Sequence, residues 1–284
     1  AVLASHAHDL AAAARAARTV ECRPMLVDSH CHLDFPDLIE NEADVLARMA
    51  ENGVTHALCV SVKLETLPAV IGLAERHPNL FASVGVHPDN ADCDEPDEAK
   101  LLELAAHPKV VAIGETGLDY HWHKDAPEWQ RERFRTHIRA ARACGRPLII
   151  HTRSASDDTL AILREEGEDG TSNQAGGVFH CFTESMQVAR AALDLGYYIS
   201  FSGIVTFKSA QDLRDVAAFV PMDRMLIETD SPYLAPVPYR GKTNNPSYVP
   251  LVARQIAQTR GIPLEAVAQA TSRNFETLFK GVVA

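Results

Sequence analysis

Eight short apolar runs recur along the chain, at residues 25–29, 55–62, 81–86, 110–114, 147–150, 177–179, 197–201 and 225–228. Many are aliphatic and β-branched almost without interruption, the pattern of strands buried on both faces. Between them the spacing changes to that of helices. Val45, Leu46 and Met49 form one stripe, and Leu101, Leu102, Leu104 and Ala105 another. Residues 127–144 predict a longer helix with Pro127 in its first turn; Leu160, Ile162 and Leu163 mark the next. Two helices over 247–260 and 263–279, divided at Gly261, end the chain. Strand starts lie 20–37 residues apart, the length of a strand–helix unit. Eight such alternations predict an α/β fold, a closed parallel (β/α)8 TIM barrel. No GxGxxG loop follows the first strand, which counts against an open doubly wound sheet.

The length of 284 residues suits one such domain. Residues 1–24 read as an Ala-rich N-terminal extension, helical or flexible, ahead of a hydrolase barrel over 25–284. Asp9, Arg15 and Arg18 interrupt any signal-peptide core there, and no stretch approaches a membrane span. Six cysteines without a CxxC pair read as reduced thiols, and the expected location is cytoplasmic. The net charge of −11 repels polyanions, so any contact with nucleic acid has to be local.

Chemistry gathers where the predicted strands end. His30 and His32 follow the first, and alternate residues of extended chain share a face. Glu115 follows the fourth between glycines, where a lone buried carboxylate is costly unless paired or metal-bound. His151, His180 and Asp230 follow the fifth, sixth and eighth. In a barrel these ends form one face, the face that carries active sites. Six ligands exceed the needs of one metal ion and fit two divalent ions with a bridging carboxylate. Mixed nitrogen and oxygen donors suit Zn, Mn, Ni or Co, and Mg takes imidazole less readily. The open arrangement argues against a purely structural metal.

Asp230 is the candidate proton acceptor, and Glu228 a candidate to support a ligand or hold a third ion. His87, at the end of the third strand, is a candidate to bind an anionic oxygen or to assist a leaving group, and Arg153 to grip an anionic group with its planar fork. Lys208, Arg240 and Lys242 are candidates for a local positive patch, with Phe182, Phe207, Tyr233 and Tyr239 as nearby aromatics for base stacking and core packing the expectation for the first two. His56, His77, His107 and His137 fall on helices or ahead of strands, away from this face. His121 and His123 are expected in solvent, and His6 and His8 lie in the extension.

The motifs Asp28-Ser29-His30-Cys31-His32-Leu33-Asp34, Gly85-Val86-His87-Pro88, Gly114-Glu115-Thr116-Gly117-Leu118-Asp119, Ile150-His151, Phe179-His180-Cys181-Phe182 and Glu228-Thr229-Asp230-Ser231-Pro232-Tyr233 together resemble the TatD family of metal-dependent deoxyribonucleases, among the amidohydrolase-like barrels. Arg240-Gly241-Lys242 and Asn244-Asn245-Pro246 resemble its last loop. The resemblance implies that His30, His32 and Asp230 hold one metal, His151 and His180 a second, and that Glu115 bridges them. It implies Mg or Mn as activators and 3′–5′ exonuclease action on DNA. The other expectation is hydrolysis of a different ester, lactone, phosphotriester or amide, such as an aminoacyl-tRNA ester. The ligand set lies in one chain, so no protein partner is required.

Overall fold

In the computed structural model, residues 25–171 and 173–282 are described. The expected extension over 1–24 lies outside them. Eight parallel strands pair in sequence order: β1 (Leu26–Cys31), β2 (Val54–Cys59), β3 (Leu80–Val84), β4 (Val110–Asp119), β5 (Leu148–Arg153), β6 (Gly177–Phe179), β7 (Tyr198–Phe201) and β8 (Met225–Ile227). The ring closes between its first and last members. Asp230 donates its backbone N–H to His30, His32 donates to Ser231, and Cys31 bridges Ser231. A buried carboxylate adds to this seam: Asp28 accepts from the backbone N–H of Thr229 at 2.9 Å and from its hydroxyl at 2.5 Å.

Helices cover the outside: α1 (Pro36–Ile39), α2 (Glu42–Glu51), α3 (Leu67–Arg76), α4 (Glu98–Ala105), α5 (Glu128–Cys144), α6 (Ser156–Glu165), α7 (Met186–Asp194), α8 (Gln211–Phe219), α9 (Val249–Arg260) and α10 (Leu264–Leu278). Each expected helical stripe lies on one of them. Pro127 and Pro263 sit one residue ahead of α5 and α10, as N-caps, where a missing N–H costs nothing. Residues 246–248 form a short 3₁₀ turn before α9 begins.

Strand alternation builds two cores. Val27, Leu58, Phe81, Val111, Ile149, Val178, Tyr198 and Leu226, one from each strand, fill the barrel interior. Phe275 and Phe279 of α10 and Val282 join them. Every interior residue here precedes its strand's polar end, so α10 closes the barrel opposite the ligands. The neighbouring positions, such as Ile113, Leu148 and Ile199, face outward into the layer beneath the helices. Each fully buried aliphatic or Phe side chain contributes about 1.5–3 kcal/mol relative to exposure.

Two expectations need correction. Strand β4 runs on through Asp119 instead of stopping at Gly114, with a register shift between Ile113 and Thr116 that places Glu115 inside the strand. His56 lies within β2 and stacks on Phe81 rather than preceding a strand.

Candidate metal centre

Each acid or imidazole of the site sits on a strand or just past one. His30 is in β1 and His32 one residue beyond it; Glu115 is in β4 and His151 in β5. His180 and Asp230 follow β6 and β8 directly or within three residues, and His87 lies three residues past β3. Glycines let β3, β4 and β5 approach closely. Gly117, at φ +132°, would place a Cβ 1.9 Å from the His151 carbonyl oxygen. A Cβ on Gly85 would lie 2.5 Å from the Gly114 carbonyl carbon. Close backbones bring His87, Glu115 and His151 to one point.

The two oxygens of Glu115 divide the imidazoles into two groups. Oε2 lies 3.3 Å from His30 Nε2 and 4.0 Å from His32 Nε2. Asp230 Oδ1 completes that group, 3.6 and 3.5 Å from the same two nitrogens, which are themselves 3.3 Å apart. Oε1 lies 3.2 Å from His87 Nε2, 3.1 Å from His151 Nδ1 and 2.7 Å from His180 Nε2. The His30 and His180 rings stack at 3.9 Å and join the groups. Ligand atoms bound at roughly 2.0–2.2 Å around a common cation stand about 3–3.5 Å from one another, so these spacings suit coordination.

The outer ring nitrogens fix the tautomers. His151 Nε2 donates to Asp119 Oδ2 at 2.9 Å, His180 Nδ1 to Glu228 Oε1 at 3.2 Å, and His32 Nδ1 to the Val60 carbonyl at 3.0 Å. Carboxylates and carbonyls only accept, so the ring proton is on the outer nitrogen and the lone pair points inward. A bare imidazole nitrogen 2.7 Å from a buried carboxylate oxygen is repulsive unless a proton or a cation lies between. The outer nitrogen of His30, Nδ1, is buried without a partner, as is Glu228 Oε2. This donor set fits divalent metal ions.

Electrostatics point the same way. Burial would raise the Glu115 pKa, but His180 and His87 hold it well below the ordinary range. Burial would lower the His87 pKa, yet Glu115 and Asp89 lift it to about 10. Burial likewise opposes a charged His180, and Glu115 and Glu228 more than offset it. Anionic oxygens at this depth demand positive charge, which bound cations supply without protons. Asp28 differs: burial, only partly offset by Thr229, pushes it up to about 8.

The centre floors an open cleft of about 840 Å³. The cleft takes in His87 and Arg153 from the expected contacts, together with Tyr233. Glu228 is fully buried behind it and also accepts from the Cys181 N–H, so it positions His180. Lys208, Arg240 and Lys242 do not line the cleft. Arg240 lies 3.6 Å over the Phe207 ring, Lys242 reaches toward Tyr239, and Tyr239 stacks on Tyr248. Phe182 is core. His137 is buried in α5, and His121 is exposed.

Sequence reasoning missed Asp119, Trp122 and Lys63. Asp119 stood inside the Gly114–Asp119 motif, and its signal was lost when β4 was expected to end early. Its other oxygen accepts from the His121 and Trp122 N–H groups, so one carboxylate ties the centre to the loop above it.

A family model of TatD related DNases matches residues 27–280. The chain belongs to the TatD family. Over 257 residues it is 49% identical to the uncharacterized metal-dependent hydrolase YcfH of Escherichia coli, covering 89% of this chain and 95% of that one. It is 32% identical over 263 residues to the 3′-5′ ssDNA/RNA exonuclease TatD of Salmonella typhimurium, covering 90% of this chain and all of that protein. The crystal structure of the TatD homolog YJJV from E. coli superposes with a TM-score of 0.83 at 32% identity, covering 91% of this chain and 98% of that chain. The chain is thus a metal-dependent hydrolase of TatD type. Among the described residues no helix is long and apolar enough to cross a membrane, and five cysteines are free.

Proposed function

We propose that this protein is a metal-dependent nuclease that cleaves phosphodiester bonds of DNA from the 3′ end. The observation that carries it is the division of the Glu115 oxygens between two imidazole groups, with His30, His32 and Asp230 on one side and His87, His151 and His180 on the other. The name of the Salmonella relative supports the choice of bond. Divalent ions held there would supply Lewis-acid polarisation of the phosphodiester and acidify water.

The chain's own groups do the rest. Asp230 is the most open carboxylate of the centre, its side chain 16% exposed, and it is the group that accepts the proton from water. Asp119 and Glu228 hold His151 and His180 by their outer nitrogens and keep the inner lone pairs aimed. Arg153, on the cleft wall without a carboxylate partner among the described residues, grips phosphate with its planar fork.

Hydrolysis of a 3′-end-labelled single-stranded oligonucleotide tests the reading. Chelator-stripped protein should be inactive, and Mg or Mn should restore release of nucleotides from the 3′ end. Glu115→Ala should lose roughly 10²-fold or more. If metal-loaded wild type leaves DNA intact, DNA is the wrong substrate. The net charge of −11 favours a second reading in that case, a small neutral ester or lactone, which a panel of such compounds would reveal.

A further inference from the structure

The barrel's rim carries an unusual exposure of aromatic surface. Among the described Phe, Tyr and Trp residues, only two are more than half exposed: Trp122 at 65% and Tyr233 at 56%. Both line the cleft over the candidate metal centre. Exposed aromatic surface is costly to keep in water and marks binding sites when it clusters at one.

Their placement is set by topology. Trp122 follows β4, seven residues beyond Glu115; Tyr233 follows β8, three residues beyond Asp230. In a closed ring of eight strands taken in order, β4 and β8 are diametrically opposite. The two rings therefore stand on opposite walls with the imidazoles and carboxylates between them. Each is anchored from below. The Trp122 N–H bonds Asp119, and the Tyr233 N–H bonds the Asp230 carbonyl. The Tyr233 ring also meets Phe35 edge-on at 6.2 Å. Beside Trp122 lies the Arg153 guanidinium, 5.8 Å from its ring centroid. Lys63 adds a second cation to the same cleft.

A ligand that uses both aromatic rings must be extended, must present a flat ring at each end, and must carry negative charge near Arg153 and Lys63. We infer that Trp122 and Tyr233 are two base-stacking platforms, one on each side of the scissile phosphate, each taking one unpaired base of a single strand of the kind that the Salmonella relative's name gives. The inference rests on the nuclease reading above. Stacking accepts any base, so it gives strand selectivity without sequence selectivity. It also answers the acidic surface: affinity comes from ring faces and two local cations rather than from bulk charge.

The test compares KM and kcat for metal-loaded protein on a 3′-labelled single strand and on the same strand with its two 3′-terminal nucleotides made abasic. Wild type should show KM roughly tenfold or more higher on the abasic strand, with a smaller change in kcat. Trp122→Ala and Tyr233→Ala should each raise KM on the normal strand to a similar degree. Each should also lose part of the abasic penalty, because ring and base are removed as partners of one contact. Trp122→Phe should recover most of the loss, which a change in loop folding would not allow. Should wild type show no abasic penalty, or the alanine variants retain it in full, the platforms are overturned while the nuclease reading stands. Should metal-loaded wild type cut neither strand, the nuclease reading fails and this inference falls with it.

Discussion

The floor and the rim of the cleft are built on different principles. On the floor, side chains spring from strands or from the one to three residues that follow them; His30, His32, Glu115 and His180 are buried and His87, His151 and Asp230 partly so. Glu115 is 2% exposed and His30 fully covered. On the rim, Trp122, Arg153 and Tyr233 stand at strand ends or on loops with much of their surface in water. Strand positions can hold ligand atoms to fractions of an ångström, which metal chemistry needs. Loop positions tolerate variation and, on the proposed reading, select what is brought to the metal centre. On the proposed reading the bond-breaking step belongs to the floor and the choice of substrate to the rim, and mutations should divide along the same line.

The largest effect belongs to the floor. Glu115→Gln keeps the shape of the bridging side chain and removes its charge. It should lower kcat/KM by about 10³-fold, and the number of bound divalent ions per chain, measured by elemental analysis after dialysis, should fall. A variant that retained its full metal content would break the assignment of Glu115 as the shared ligand.

Next comes support of the floor from outside the barrel. His137 of α5 donates Nδ1–H to the Arg133 carbonyl at 2.8 Å and accepts the Val86 N–H on Nε2 at 3.1 Å, so it must be neutral. It fixes the backbone one residue before His87. Burial lowers its pKa to about 4. The unfolded chain takes up this proton near pH 6.5, the folded chain only near 4. Between those values the unfolded state binds more protons, so stability is full above about 6.5 and falls as pH drops toward 4. The total is about 3 kcal/mol, taking 1.36 kcal/mol per unit. Urea unfolding of wild type against His137→Gln across pH 4–7 measures it. Equal pH slopes in the two proteins would remove His137 from the account.

Asp119 joins floor to rim, and its loss should act on both. Asp119→Ala frees His151 Nε2 and releases the Trp122 N–H. Metal affinity should fall roughly 10- to 100-fold, as for other carboxylates that orient a ligating imidazole. Calorimetric titration of the stripped protein with Mn checks this. An unchanged affinity would show that the His151 ring is held by its packing against His87 and His180 alone.

The same division explains what could be read from the chain. The eight strands were legible because each is a short apolar run, and the HxH and GETGLD motifs because ladder geometry is local. The run of β4 through Asp119 was not, because Gly114 and Gly117 look like turn residues until the neighbouring backbones of β3 and β5 are present. Nor was the rim. Trp122 and Lys208 are both polar-loop residues in the sequence, and only the path of each loop decides which faces the candidate metal centre. Tyr233 differs because three residues separate it from Asp230, too few to carry it away.

The smallest effect should come from the cations that the chain's sequence offered and the fold turned aside. Lys208, Arg240 and Lys242 are exposed, and none lines the cleft. Arg240 spends its guanidinium on the Phe207 ring, and Lys242 faces the Tyr239 ring at 5.9 Å. At about 0.15 M salt the Debye length is ~8 Å, so charges outside the cleft act weakly on a short strand held inside it. Replacing all three by alanine should change KM for a four-nucleotide strand less than about twofold. Arg153→Ala alone, which removes a cation inside the cleft, should raise it several-fold. A triple variant as impaired as Arg153→Ala would mean that the strand runs over the β8 loop and that the rim extends beyond the cleft walls.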